Sequence, residues 1–306
     1  MVGEILIIVN PAAGGGKARR AEPKIAELLS TKGASAKFVH SKNSEDIREQ
    51  AARAAANGFA TVVALGGDGA FHHVIEGARG TGVQVGFFPA GNGNDIARSL
   101  EIPSHAVRAA EAFLGGAPRP IDLVRVHFSE DCAGHYIGVG GLGLDAEAAH
   151  LANSRYRKWP GLSRYLAGAL SIYWRGAPYE LNATLDNERW SGRALFAAVA
   201  NGTRYGAGIR IAPEAKMDDG WLDVALVGEM PLVRFLRAIP IVLTSGDLRG
   251  FPEVRRYRCR CARFETNRIA KVHGDGEWMG ESPAEFQVVP AGIQVRVPKR
   301  GFSGSE

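Results

Sequence analysis

Along the first 125 positions, apolar residues fall into short unbroken runs separated by amphipathic stretches. The runs are "EILIIVN", "SAKFVH", "TVVALG" and "VQVGFFP", and the helix-like stretches cover residues 17–32, 44–57, 70–79 and 94–114. Continuous β-branched runs between helices predict a mostly parallel sheet covered on both faces, a three-layer α/β domain. Such sheets bind ligands at the carboxyl ends of their strands.

From "IDLVRVHF" onward the pattern changes. "HYIGVGG", "YELNATLD", "ALFAAVAN", "LDVALVG", "YRCRCARFET", "AEFQVVP" and "IQVRVP" follow one another with turns between them, which predicts a largely antiparallel, β-rich domain. Two helical stretches interrupt it, at 162–175 and 231–244, the second with Pro240 as a kink. The domains are expected at 1–125, completed by 294–306, and at 126–293.

At 306 residues the chain is long enough for two cores. Its 39 glycines are nearly double the usual share and lie in scattered tight turns, which excludes a collagen-like repeat. A net charge of +5 favours anionic partners without choosing among them. Cys132, Cys259 and Cys261 have no zinc spacing, and an odd number suits a reducing compartment, so a cytoplasmic home is expected. No run of 18 apolar residues occurs, so no transmembrane segment is expected.

Three glycine turns carry the chemistry. "VNPAAGGGKARR" is not a Walker A sequence, because Pro11 and Ala18 stand where that motif needs Gly and a hydroxyl. It still reads as a strand end, Asn10 and Pro11, running through Gly14 into a helix start, a geometry that attracts phosphate. "VVALGGDG" places Gly66, Gly67, Asp68 and Gly69 at the next strand end. "PAGNGNDIAR" supplies a further bare turn around Asn92, with Asn94 and Asp95 as caps accepting amide hydrogens. Glycines let phosphates reach main-chain amides, and Asp68 stands where a carboxylate organises magnesium or an incoming hydroxyl. "GVGGLG" matches a dinucleotide fingerprint but has no βαβ context, so it is set aside.

Together with "RPIDLVRV", "GLGLDAEA", "NGTRYGAGIRIAPEAKMDDGWLDV" and "GDGEW", these stretches resemble the diacylglycerol-kinase-type lipid kinases, including the sphingoid-base and ceramide kinases, over nearly the whole chain. The resemblance implies a phosphofructokinase-like N-terminal domain, a C-terminal β-sandwich whose last segment returns to the first domain, and an active site in the interdomain cleft. It implies ATP contacts at Asn10, Pro11, Gly14, Ser41, Gly66, Gly67, Asp68, Gly69, Ala70, Phe71, His72 and Asn92, with His40 an alternative to Ser41. It places Glu277 as the proton acceptor for the lipid hydroxyl, with Asp68 as its partner carboxylate. Magnesium would be held by Asp219 with the main-chain carbonyls of Lys216 and Trp221, in support of the fold. Asp145 is assigned to head-group recognition.

The family usually reads GGDGT, with Asn and Glu shortly after, where this chain has Ala70, His72 and His73; Asn92 stands for a usual Thr. Two hydroxyls near the phosphates are therefore missing, although Asn92 still donates hydrogen bonds. His72 and His73 face apart on a helix and read as packing or surface residues rather than as metal ligands.

Segment 155–179 mixes cations with aromatics, as interfacial helices do, but its spacing equally fits a buried face. The stretch "RRYRCRCAR" reads as a one-sided basic strand at a sheet edge, which keeps a homodimer open.

The expected function is an ATP- and magnesium-dependent kinase phosphorylating a primary hydroxyl of a lipid at a membrane surface. Diacylglycerol, giving phosphatidic acid, is the leading substrate, and no nucleic acid partner is expected. An NAD kinase-like enzyme and a catalytically degenerate nucleotide- or lipid-binding regulator are the alternatives.

Overall fold

A computed structural model describes residues 3–129, 132–144, 173 and 177–299. Asp145 and the segment 155–176 apart from Tyr173, including most of the expected 162–175 helix, lie outside the described residues. The chain forms two compact units, one of Met1–Asp122 with Pro290–Glu306 and the other of Leu123–Val289.

In the first unit, strands β1 (Ile5–Val9), β2 (Ala36–His40), β3 (Thr61–Gly66) and β4 (Gln84–Pro89) pair in parallel in the order β2-β1-β3-β4. β1 and β3 are buried at every position, as continuous apolar runs in a covered parallel sheet must be. Edge strand β2 is only partly buried. A fourth parallel pairing, Val295 with Val85, comes from the end of the last strand.

The connections are helices α1 (Lys17–Thr31), α2 (Ser44–Arg53) and α3 (Asp68–Ala78), followed by α4 (Asp95–Ser99) and α5 (Ala106–Gly115). The chain steps from β1 to β2 in one direction and from β2 back past β1 to β3 in the other. Right-handed crossovers therefore put α1 and α2 on opposite faces. Accordingly α2 packs on α3, and α1 on α5.

The single helix expected over 94–114 is two helices. Glu101, at φ 59°, takes the left-handed position; its amide bonds Arg98 O at 3.3 Å, and the Ile102 amide bonds Ala97 O at 2.8 Å. This is a Schellman ending, with Pro103 just after it. A glutamate rather than a glycine occupies the stop position, which is why the sequence pattern ran through it.

The second unit is antiparallel. After β5 (Ala117–Ser129), which enters from the first unit, come β6 (Cys132–Tyr136), β7 (Val139–Gly143), β8 (Tyr179–Leu185), β9 (Glu188–Ala200) and β10 (Leu222–Gly228). Helix α6 (Leu232–Leu243) contains Pro240 and precedes β11 (Val254–Cys259), β12 (Cys261–Thr266), β13 (Lys271–Gly274), β14 (Glu277–Glu281) and β15 (Ala284–Val297). β8 alternates strictly between buried and exposed positions, the signature of a sheet wetted on one face. Its core gathers Tyr136, Phe264, Phe286, Leu181, Leu222 and Val272.

Three strand boundaries differ from the sequence pattern. "HYIGVGG" divides into β6 and β7, and "AEFQVVP" and "IQVRVP" join into the single strand β15. "YRCRCARFET" divides at Arg260, where the amides of Arg260 and Cys261 donate to the Asp186 carboxylate at 3.0 and 2.8 Å. Asp186 itself forms the β8–β9 turn, so a distant side chain interrupts the ladder. Of the two halves, β11 pairs among the described residues only with β10, at an edge, whereas β12 lies between β8 and β15.

Cys259 is buried, and burial pushes its thiol up to about 12; that of the half-buried Cys261 is pushed up to about 11. Both are packing residues rather than reactive thiols.

In the first core Phe71 of α3 stacks on Phe87 of β4, with centroids 4.5 Å apart and both rings buried. Phe71→Ala should cost about 3–5 kcal/mol through lost transfer energy and the cavity left behind. Urea denaturation measures it; a loss below about 1 kcal/mol would remove that contact from the core.

Candidate phosphate turns and acidic hairpin

In the first unit the parallel register ends the strands level with one another. Val9 lies opposite His40 and Leu65, and Gly66 opposite Pro89. The chain reverses its winding direction between β1 and β3, so the turns after these two strands flank the switch point where open parallel sheets bind ligands.

The first turn leaves β1 at Asn10, whose amide donates to Leu65 O at 2.9 Å and whose Oδ1 accepts from the Ala12 amide at 3.2 Å. Gly14, Gly15 and Gly16 follow at φ 58°, 67° and 87°, a left-handed run that turns the chain into α1 at Lys17. Gly14 also has no room for a side chain, since a Cβ there would lie 2.1 Å from Ala90 O. Pro11 sits within this turn.

The second turn leaves β3 at Gly66 and Gly67, and α3 begins at Asp68. Asp68, Gly69 and Ala70 form its first turn, where a helix leaves amides without intrahelical acceptors. Phe71 and His72 follow on the same helix with buried side chains, and the His72 ring meets that of His73 edge-on at 5.2 Å. Phe71 is therefore a core residue, and a nucleotide contact through it would be a main-chain contact.

The third turn, residues 90–94, lies directly beside the second. Ala90 N donates to Gly66 O at 2.6 Å, and a Cβ on Gly91 would lie 2.8 Å from Gly67 Cα. Asn92 Oδ1 is 3.5 Å from Lys17 Nζ, which brings a cation from the start of α1 to the third turn. Ser41, at the end of β2, spends both its amide and its hydroxyl on Val9 O, at 2.9 and 3.1 Å. Neighbouring His40 is paired with Glu22 at 2.8 Å.

The capping of α4 differs from expectation. Asn94, at φ 55°, does not accept from the helix that follows it; its Oδ1 accepts from Gly91 N at 3.0 Å and its Nδ2 donates to Gly91 O at 3.2 Å. The amides of Asp95 and Ile96 donate instead to Asp68, at 3.0 and 3.2 Å. A clip formed across 27 positions has no local signature, so the sequence pattern could not show it. Asp95 in turn pairs with Arg98 at 3.2 Å.

In the second unit, β13 and β14 form a hairpin whose two turn residues, Asp275 and Gly276, have φ 53° and 89°. Positive φ at both positions is the type I′ turn that "DG" favours. The Asp275 carboxylate accepts from the amides of Ile137 and Gly138 at 3.0 and 2.8 Å, and its own amide donates to Val139 O at 3.0 Å. The hairpin tip is thereby fastened to the β6–β7 turn. Glu277, the first residue of β14, is exposed next to that fastened tip, and Trp278 beside it is 68 % exposed. The sequence reading used the GDGE motif for Glu277 and missed Asp275, whose signal was the Asp-Gly turn itself.

Asp219 lies in the loop before β10. Its Oδ1 accepts from Trp221 N at 3.1 Å and its Oδ2 from Arg258, whose guanidinium also lies over the Trp221 ring at 5.4 Å. Arg260 lies 4.7 Å from the same ring. Burial raises the nearby Asp223 carboxyl above its ordinary range; Asp219 and Glu214 raise it further, and Arg258 and Arg256 oppose them. Lys216 is an exposed residue of the same loop. Among the described residues, no three His, Cys, Asp or Glu side chains converge on a metal position. A cation here would rest on one carboxylate and main-chain carbonyls, a hard oxygen set that suits magnesium.

Among the described residues no helix is long and apolar enough to cross a membrane.

Residues 4–126 match the family model described as the diacylglycerol kinase catalytic domain, and residues 138–297 that of the YegS C-terminal NAD kinase beta sandwich-like domain. The chain is 29 % identical over 303 residues to a diacylglycerol kinase of Mycobacterium tuberculosis, covering 98 % of this chain and 97 % of that one. It is 24 % identical to a diacylglycerol kinase of Bacillus subtilis, covering 96 % of each. A crystal structure of a diacylglycerol kinase from Bacillus anthracis has the same fold, with a TM-score of 0.76 at 20 % identity and 97 % of each chain covered. With both of its units matched in order, the chain belongs to the diacylglycerol-kinase-type family of lipid kinases, phosphotransferases with an alcohol acceptor.

Proposed function

We propose that the protein transfers the γ-phosphate of ATP to a primary hydroxyl of a membrane lipid, diacylglycerol first, giving phosphatidic acid. The observation that carries this reading is the set of three bare turns, at residues 10–16, 66–70 and 90–94, lying at level strand ends around the switch point of a parallel sheet. Amides with no side chain in front of them suit a polyphosphate, and phosphoryl transfer asks a protein mainly for alignment and charge neutralisation. Main-chain donors are indifferent to the loss of hydroxyls at Ala70 and Asn92, and Lys17 beside Asn92 adds positive charge.

In the transfer step the lipid hydroxyl oxygen bonds to the γ-phosphorus as the bond from that phosphorus to the β-bridging oxygen breaks. The hydroxyl proton passes to Glu277. That carboxylate is solvent-exposed at the end of a rigid two-residue turn, so its place is set by Asp275 while its oxygens stay available. Magnesium on Asp219 and the carbonyls of Lys216 and Trp221 would neutralise the acidic loop that Arg258 now holds. Asp145 is assigned to the lipid head group.

Pure protein with labelled ATP, magnesium and a panel of diacylglycerol, ceramide, sphingosine and NAD should label phosphatidic acid. Label in NADP alone would overturn the lipid reading, and no label in any product would favour a binding protein. Glu277→Gln should lower turnover by about 10² or more while ATP still binds, on the magnitude of a lost general base; unchanged turnover removes Glu277 from the step. Asp219→Ala should lower the melting temperature and blunt its response to magnesium together. Normal melting with a normal metal response would contradict that ligand.

A further inference from the structure

The carboxylate of Asp68 is engaged by the backbone. Each oxygen accepts one amide, Oδ2 from Asp95 and Oδ1 from Ile96, and these amides open α4, where a helix has no acceptors of its own. The residue in the usual capping place cannot serve them. Asn94 is left-handed and turned back, closing its own loop through two hydrogen bonds with Gly91. The two devices interlock: Asn94 fixes the shape of the 91–94 turn, and Asp68 fixes where that turn lies against its own, the 66–70 turn.

The backbones that result are in direct contact. A Cβ on Gly91 would lie 2.8 Å from Gly67 Cα, and one on Gly14 would lie 2.1 Å from Ala90 O. All three turns are therefore in register to within the thickness of a side chain. A shift of the 91–94 turn by about 1 Å would separate the amide sets that one phosphate chain must meet, and misplacement of that size is costly in catalysis.

We infer that Asp68 is a positioning residue for the nucleotide, a clamp that holds the amides of the 91–94 turn alongside those of the 66–70 turn, rather than the acceptor of the substrate's proton. The clamp rests on the ATP reading above. A proton acceptor must aim a lone pair at the substrate hydroxyl, whereas the orientation of this carboxylate is set by two amides 27 and 28 positions away. It leaves the proton to Glu277.

Asp68→Asn keeps the size of the side chain but sets an NH2 group against one of the two amides. Titrating metal-free ADP onto the full chain without lipid should show binding at least about 10-fold weaker, from one buried amide left unsatisfied. Amide exchange at Asp95 and Ile96 should speed up in the same variant. With ATP and lipid, KM for ATP should rise by a larger factor than kcat falls. Asn94→Gly keeps the left-handed backbone and removes only the loop closure, and it too should weaken ADP binding with Asp68 intact.

Wild-type ADP affinity in Asp68→Asn with collapsed turnover would overturn the clamp and return Asp68 to the chemistry. Should Asp68→Asn fail to fold, Asn94→Gly decides, and wild-type ADP affinity there overturns the clamp. If the unaltered protein does not bind ADP at all, the nucleotide reading falls and the clamp falls with it.

Discussion

Backbone touches backbone where the second and third turns of the first unit meet, and that contact constrains everything around it. Gly91 leaves no space for a Cβ against Gly67 Cα, and Gly14 meets the Ala90 carbonyl with no more room. A parallel sheet with flush strand ends brings the turns to the same level, but flush ends alone do not set the spacing between loops. Side chains at these two glycines would push the turns apart, and the amides they carry would no longer lie side by side. Glycine at 91 is a requirement of distance, and at 14 of distance and conformation together.

The second unit meets a different demand by a similar device. On the proposed reading, the exposed carboxylate of Glu277 needs a fixed address without losing its freedom to accept a proton. The type I′ turn supplies the address, and Asp275, bound to two amides of the β6–β7 turn, keeps the hairpin from swinging. Asp68 and Asp275 thus do the same physical work: each is an acidic side chain satisfied by a pair of successive amides, a strong charge-assisted arrangement. Asp186 repeats it at the break between β11 and β12. In this fold aspartates join loops, and the glutamate at 277 is left exposed to solvent.

Much of this was legible in the sequence where the cause is local. The unbroken runs of β1 and β3, the alternation of β8, and the glycines after β1, β3 and β4 all report their own surroundings. What escaped was caused at a distance. Glu101 ends a helix in a conformation that glycine usually takes, "YRCRCARFET" breaks because Asp186 draws two of its amides, and the cap of α4 comes from Asp68 instead of Asn94. Asp68 stands out in the sequence as a lone carboxylate on a bare turn. Its partners became visible only once the third turn was folded against it.

The central claim is that main-chain amides of three turns form one phosphate cradle. Backbone amide chemical shifts recorded during an ADP titration test it most directly. The account predicts that the largest changes, saturating together, fall on Gly14, Gly15, Gly16, Gly69, Ala70 and the 91–94 turn. Changes confined to one turn, or centred on residues away from these strand ends, would contradict it.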